Sequence, residues 1–170
     1  MTRIIKNRAV VEDSWNVLRL ADGETADTVP LPQGPVLVPF SVWMARKNEL
    51  QNGRTGQIGI WLAAGEGPED LAEDLGQLPV IGVDFPKFTD GRGYSAARLL
   101  RERYGYRGEI RAIGDVLPDQ LFYMTRCGID AFALRADKDA EKALALFDTF
   151  SETYQAAVDQ PLPLFRRRAA

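Results

Sequence analysis

Apolar positions along the chain follow two alternating patterns. From position 35 onward, short uninterrupted apolar runs alternate with stretches whose apolar residues recur at helical spacing. The runs predict strands and the spaced stretches predict helices, so the segment 35–157 is expected to form five strand–helix units. The predicted strands are 35–38, 57–63, 80–83, 110–113 and 129–134.

The helix boundaries follow from capping residues, prolines and glycines at the ends of the spaced stretches. The last helix is expected to be the longest, and its apolar face carries Ala140, Ala143, Leu144, Phe147, Phe150 and Tyr154. The predicted helices are 41–52, 68–76, 95–104, 118–127 and 138–157.

The two ends of the chain lack this alternation. Residues 1–34 are expected to hold short strands at 3–5, 9–11 and 15–20, followed by a loop rich in Gly, Asp, Thr and Pro. Residues 158–170 are expected to form an extended tail, because Pro161 and Pro163 disfavour regular structure there. We expect one α/β domain spanning 1–170.

The predicted strands are apolar throughout, as is typical of parallel strands covered on both faces. A mainly parallel, doubly wound, flavodoxin-like sheet with short N-terminal strands is therefore the expected fold. A partial or irregular β/α barrel is the alternative, because both folds are built from the same strand–helix units.

Composition narrows the possible chemistry. The 170 residues carry a net charge of −3, which argues against binding to nucleic acid or to anionic membranes. No apolar run reaches the ~18 residues of a membrane helix, and the first residues lack the apolar stretch of a signal peptide, so a cytoplasmic location is expected. With no histidine and one cysteine, the chain offers no Ser-His-Asp triad and no histidine-based zinc site. We expect no bound metal and no resident cofactor.

Two carboxylates follow predicted strands within two residues. Asp84 follows the strand 80–83, and Asp115 comes two residues after the strand 110–113. Because parallel strands end at one edge of a sheet, both are expected at the edge where α/β proteins bind ligands. Lys87, three residues after Asp84, adds a cation. The candidate catalytic residues are Asp84, Lys87 and Asp115.

The segment 91–95 also resembles an anion-binding turn, because two glycines precede a predicted helix N-terminus. In the alternative, Asp90 and Asp115 only cap turns and helices, and Lys87 and Arg92 only neutralise them. The candidate ligand-binding residues are Lys87, Asp90, Arg92, Tyr94, Ser95, Asp119 and Gln120.

Three segments, 84–95, 114–121 and 126–132, together resemble a bacterial family known as domain-of-unknown-function 934, and the resemblance spans nearly the whole chain. Members of this family are usually encoded beside assimilatory sulfite or nitrite reductase and phosphoadenylyl-sulfate reductase. The family is often labelled an oxidoreductase, without an established reaction. The resemblance therefore implies an accessory protein of sulfate or sulfite reduction that binds a small anion or a reductase partner, with sulfite reductase or phosphoadenylyl-sulfate reductase as that partner.

Two further hypotheses stand beside this one. The chain could be an enzyme whose Asp84 or Asp115 acts as acid or base while Lys87 or Arg92 stabilises negative charge. Alternatively, it could be a non-catalytic scaffold that forms homo-oligomers through its C-terminal tail. No flavin, nicotinamide or cluster motif is present to support the oxidoreductase label.

Overall fold

The computed structural model describes residues 2–53 and 56–168, which form one eight-stranded mixed sheet with helices packed against it. The strands are β1 Thr2–Lys6, β2 Ala9–Asp13, β3 Asn16–Val17, β4 Val36–Pro39, β5 Ile58–Leu62, β6 Val80–Phe85, β7 Glu109–Gly114 and β8 Ala131–Phe132. The helices are α1 Phe40–Gly53, α2 Arg92–Glu102, α3 Leu121–Arg126, α4 Ala140–Ala143 and α5 Leu164–Arg167. Short 3₁₀ turns lie at Pro68–Leu71, Leu75–Gln77, Pro118–Gln120 and Leu144–Asp148.

The strand order confirms the α/β class and shows how the strands are arranged in the sheet. The order across the sheet is β2-β1-β8-β7-β6-β5-β4-β3, and β3 to β8 are parallel and follow one another in chain order. Strand β1 joins β8 antiparallel and pairs with β2 in a hairpin. A doubly wound sheet needs a reversal of strand order. The parallel strands have none, so the flavodoxin-like arrangement is not confirmed, and the sheet instead curls into a half-barrel.

The helices lie on one face of this half-barrel. Successive right-handed crossovers between strands in sequential order place every connecting helix on the same side. One continuous apolar core lies between the sheet and the helices on that side. In it, alternate residues of the strands pack against the helices. Its members include Val38, Ile60, Val83, Phe85 and Ala112 from the strands, and Trp43, Leu100, Met124 and Phe147 from the helices and turns.

The opposite face, which we call the inner face, carries the other half of the strand residues. Trp61, Gly82 and Arg111 lie in register on β5, β6 and β7. Gly82 is needed beside Trp61, because a Cβ there would lie 2.8 Å from the Trp61 Cβ. Large and small side chains thus alternate across this face. The N-terminal segment covers it, since Trp15 lies within 3.3 Å of the position a Cβ on Gly59 would take.

A buried charge network lies on the inner face near the start of β7. The Arg111 side chain is 2% exposed, and its guanidinium binds both carboxylate oxygens of Asp13, at 2.9 and 3.0 Å, and Glu109 at 2.6 Å. Lys6 adds a fourth charge, with its Nζ 2.7 Å from Glu109. Two cations and two carboxylates therefore compensate one another, which is the condition for burying charge in a protein interior.

Two predicted helices are wrong in extent. The expected helix 68–76 is two separate 3₁₀ turns. The expected helix 138–157 ends early: α4 covers Ala140–Ala143, and the 3₁₀ turn that follows it ends at Asp148.

Tertiary contacts explain the early end of that last helix. The Arg126 guanidinium donates to the Gln155 carbonyl and to Asp159, and the Val158 N–H donates to the Arg126 carbonyl. These bonds hold the chain after Asp148 against α3 in a non-helical course. Phe150 and Tyr154, predicted on the apolar helix face, are therefore 61% and 69% exposed.

The predicted tail is not extended throughout, because α5 forms within it. The Leu164 N–H donates to the Tyr154 carbonyl at 3.0 Å, so the tail folds back on its own chain. The last two residues of the predicted tail lie outside the described residues. Within the described ranges, the longest helices fall short of the length and apolarity that crossing a membrane would require.

Candidate functional site

An open pocket lies at the carboxyl end of the parallel strands, where ligands bind in β/α barrels. Its volume is about 460 Å³. Residues that follow β3, β6, β7 and β8 meet there although they are far apart in sequence. We call it the mouth pocket, and its lining is Arg19, Asp84, Pro86, Gly114, Asp115 and Arg135.

Asp84 reaches the pocket because of strand alternation. Its neighbours Val83 and Phe85 face α2, since a Cβ on Gly93 of that helix would lie 2.8 Å from each. Asp84 therefore points to the inner face. It is 7% exposed, and its partner is Arg19, whose Nη2 lies 2.6 Å from Oδ1.

Arg19 is fixed from both sides. Its guanidinium stacks over the Trp61 ring at 4.9 Å, and the Trp61 Nε1–H donates to the Leu18 carbonyl at 2.9 Å. Leu18 and Arg19 therefore both contact the Trp61 ring. Because the sheet curls, Arg19 after the edge strand β3 reaches Asp84 on β6.

On the other side of the pocket, Arg135 joins two carboxylates. Its Nη1 lies 3.1 Å from Asp115, and its Nε lies 2.6 Å from Asp137. The backbone fixes this arrangement, because the Asp115 N–H donates to the Phe85 carbonyl at 2.7 Å and the Arg135 N–H to the Val116 carbonyl at 3.1 Å. Hydrogen bonds from Arg135, and then from Lys138, hold the pKa of Asp137 well below its usual value.

Gly114 makes the close approach of these loops possible. Its φ is +93°, a conformation that other residues rarely adopt. A Cβ at this position would lie 2.5 Å from the Phe85 carbonyl oxygen and 2.7 Å from Asp84 Oδ1. Only glycine therefore lets Asp84 and Asp115 line the same pocket.

The two arginines keep hydrogen-bonding capacity. A guanidinium has five N–H donors. Asp84 occupies two of those on Arg19, and Asp115 and Asp137 occupy three of those on Arg135. Both side chains are about half exposed, at 48% and 44%. Counting partners among the described residues, five N–H groups in all are thus left to bind the oxygens of a small ligand.

The loop between β6 and α2 forms a second, separate cluster. Arg92 binds Asp90 through its Nε at 2.9 Å and its Nη2 at 2.5 Å. The side-chain hydrogen bonds from Arg92 lower the pKa of Asp90 to about 2. The Asp90 carboxylate also accepts the Arg92 N–H at 3.2 Å, so it stabilises the turn into α2. Lys87 is exposed on the same loop.

The remaining predicted ligand-binding residues lie on the helix side of the sheet. Tyr94 packs against Phe85 and Tyr123, with ring centroids 5.1 and 5.0 Å away. Burial raises the pKa of the Tyr94 hydroxyl. The Gln120 Oε1 accepts the Leu117 N–H at 2.9 Å. Both have structural partners, whereas Ser95 and Asp119 are exposed.

The structure therefore brings the predicted residues together in pairs rather than in one cluster. Asp84 and Asp115 share the mouth pocket, and Asp90 and Arg92 bind each other, whereas Tyr94 and Gln120 have structural partners on the helix side of the sheet.

Sequence reasoning missed both arginines of the mouth pocket. Arg135 directly follows the predicted strand 129–134, so the strand-end rule that selected Asp84 would also have selected it. Arg19 carries no such signal. It lies within a predicted strand, and its position depends on the curl of the sheet. Within the described part of the chain, no cluster of three or more His, Cys, Asp or Glu residues could hold a metal ion.

A family model described as "Bacterial protein of unknown function (DUF934)" matches residues 59–165. The matched range contains Asp84, Asp115 and Arg135, whereas Arg19 precedes it. No curated protein and no solved structure matches the chain.

Proposed function

The chain belongs to the DUF934 family of bacterial proteins of unknown function, and from this premise we propose that it binds a small oxyanion in the mouth pocket as an accessory protein of sulfate or sulfite reduction. The observation that carries the proposal is the meeting of Arg19 and Arg135 at one pocket, each half exposed and each with N–H donors left over.

Carboxylates hold these guanidinium groups in place before a ligand arrives. Asp84 fixes Arg19, and Asp115 and Asp137 fix Arg135. A ligand then meets donors whose positions are already set, which lowers the entropy cost of binding. The oxygens of sulfate or sulfite are suitable acceptors, because charge-assisted N–H···O⁻ bonds are stronger than neutral ones.

The local charge limits which ligands bind well. Three aspartates at the site face three cations, Arg19, Arg135 and Lys138, whose Nζ lies 2.9 Å from Asp137, so the local net charge is zero. Long-range attraction therefore contributes little, and affinity depends on direct contact with the free N–H groups. This favours small, oxygen-rich anions over large polyanions.

Isothermal titration calorimetry with sodium sulfite and sodium sulfate tests the proposal. Arg135→Gln should weaken binding by about 10- to 150-fold, because a hydrogen bond to a charged group contributes about 1.5–3 kcal/mol. Arg98→Gln is the matched control, since Arg98 is a half-exposed arginine paired with Glu102 on α2. Equal binding by both variants, or no saturable binding by the unchanged protein, would reject the proposal.

The enzyme and scaffold hypotheses remain predictions. An enzyme would convert the bound anion, so the anion recovered after incubation with the protein separates binding from turnover. A scaffold would show no saturable anion binding in the same titration.

A further inference from the structure

Bulky apolar side chains are exposed together on the surface formed by α3, the segment 149–155 and the C-terminal tail. We call this the aromatic surface, and its members are between 51% and 69% exposed. Single exposed apolar residues are ordinary, but a contiguous group marks an interaction site. The members are Tyr123, Phe150, Tyr154, Leu162 and Phe165.

Tyr123, Phe150 and Tyr154 line one depression, and Leu162 and Phe165 lie on the tail that runs beside it. The rings of Phe122 and Phe150 lie 5.1 Å apart, and both line a depression of about 450 Å³ together with Tyr123 and Tyr154. The hydrogen bond from the Leu164 N–H to the Tyr154 carbonyl brings the tail to its edge.

The patch is held in place rather than formed by loose ends. Arg167 Nη1 lies 2.8 Å from Glu152, and its Nη2 donates to the Thr153 carbonyl at 2.6 Å. Arg126 binds Asp159 at 2.8 Å beneath the same segment. Because these contacts fix the course of the segment, its apolar side chains stay exposed and do not fold back onto the core.

The charge around the patch identifies its occupant. Arg126 and Arg167 pair with Asp159 and Glu152, but Arg166 and Arg168 are exposed and have no ion pair with any described residue. The uncompensated charge is therefore positive. Two copies of the chain meeting through this face would bring these arginines together, which disfavours a symmetric dimer.

We propose that the aromatic surface docks an acidic segment of another protein that carries a bulky apolar anchor. The anchor enters the depression between Phe122, Phe150 and Tyr154, and the carboxylates of the segment bind Arg166 and Arg168. Aromatic and arginine residues are the side chains that contribute most at protein interfaces. This inference is independent of the mouth pocket.

The test uses a short fluorescein-labelled peptide in which Glu and Asp surround one Trp and one Leu, followed by fluorescence anisotropy with the full chain. Two variants, Phe150→Ser/Tyr154→Ser and Arg166→Glu/Arg168→Glu, should each weaken binding by about tenfold or more. Phe88→Ser and Arg103→Glu/Arg107→Glu are the matched controls, because these residues are exposed elsewhere on the surface. The controls should bind as the unchanged protein does, and added salt should weaken binding.

Three results would overturn the inference. The first is that the peptide does not bind to the unchanged protein, or that it binds equally well to all four variants. The second is equal binding of a peptide with Lys in place of the acidic residues. The third is evidence for a different occupant. This would be a doubling of mass in light scattering, or co-flotation with anionic lipid vesicles, if that behaviour is lost in the two variants of the aromatic surface and kept in the two controls.

Discussion

Arg19 and Asp84 are 65 residues apart in sequence, yet their side chains meet at 2.6 Å across the carboxyl end of the curled sheet. The pair connects the end of the edge strand β3 to the end of β6, passing over Trp61 of β5. It therefore spans four strands of the half-barrel, β3 to β6, at the end where the candidate site lies. The same contact that stabilises the curl also positions a guanidinium in the mouth pocket.

Removing one carboxylate from the mouth pocket should strengthen anion binding. Asp115 occupies a donor of Arg135 and repels an incoming anion, whereas the two hydrogen bonds from Arg135 to Asp137 keep the guanidinium in place without it. Asp115→Asn should tighten sulfite binding by up to about fivefold, the equivalent of the ~0.2–1 kcal/mol of a part-exposed ion pair. Calorimetry measures the change, with Asp119→Asn as the control on an exposed carboxylate outside the pocket. Weaker binding by Asp115→Asn would contradict an anion site here.

Adding a methyl group at Gly114 should disrupt the rim of the mouth pocket. Gly114→Ala forces a side chain into a left-handed conformation and against the Phe85 carbonyl. We expect a loss of about 2–4 kcal/mol in the free energy of unfolding. Gly76→Ala is the control, because nothing lies within 4 Å of its added Cβ, and it should change stability by less than about 0.5 kcal/mol. Urea unfolding compares the two, and equal midpoints would count against the strained geometry.

The stability of the fold should depend on each charge of the buried network on the inner face. Arg111→Met leaves Asp13 buried without a cation, which we expect to cost about 3–5 kcal/mol. Adding Asp13→Asn to that variant should restore part of the loss, because it removes the uncompensated charge. Arg98→Met, which breaks an exposed pair, should cost no more than about 0.5 kcal/mol. Thermal or urea unfolding of the four proteins tests the ordering, and an Arg111 variant as stable as the control would refute it.

The single cysteine should be protected in the folded chain. Cys127 is 6% exposed, and burial raises the pKa of its thiol. Thiol reagents react with the thiolate, so labelling at mild alkaline pH should be slow in the native protein and fast in urea. Because the folded pKa of the thiol is raised, the free energy of unfolding falls as pH rises above the unfolded thiol pKa of about 8.5. Equal labelling rates with and without urea would show that the thiol is not protected.

The local elements of this fold could be predicted because each has a local cause. The hairpin β1–β2 turns at Asn7 and Arg8, and the apolar runs at β5, β6 and β7 are strands at nearly the expected positions. The end of the helix expected at 138–157 could not be predicted. Its apolar spacing continues to Tyr154, but contacts from Arg126 on α3 impose another course.

The strand order and the site depended on contacts that sequence patterns do not contain. Strand–helix alternation is the same for a doubly wound sheet and for a half-barrel, so it could not choose between them. The strand-end rule placed Asp84 and Asp115 at one edge, where the structure has them. Arg19 joins them only because the curl of the sheet carries it across β4 and β5, which no local pattern signals.

An anion titration that resolves individual arginine side chains tests the oxyanion site most directly. In NMR spectra of ¹⁵N-labelled protein, the Nε–Hε signals of Arg19 and Arg135 should shift together and saturably as sodium sulfite is added. Arg92 lies in the glycine turn that the sequence predicted as an anion site. Its signal should shift no more than the signal of the exposed control residue Arg98. Saturable shifts at Arg92 with none at Arg19 and Arg135 would contradict the account, because they would place the anion at the helix N-terminus and not in the mouth pocket.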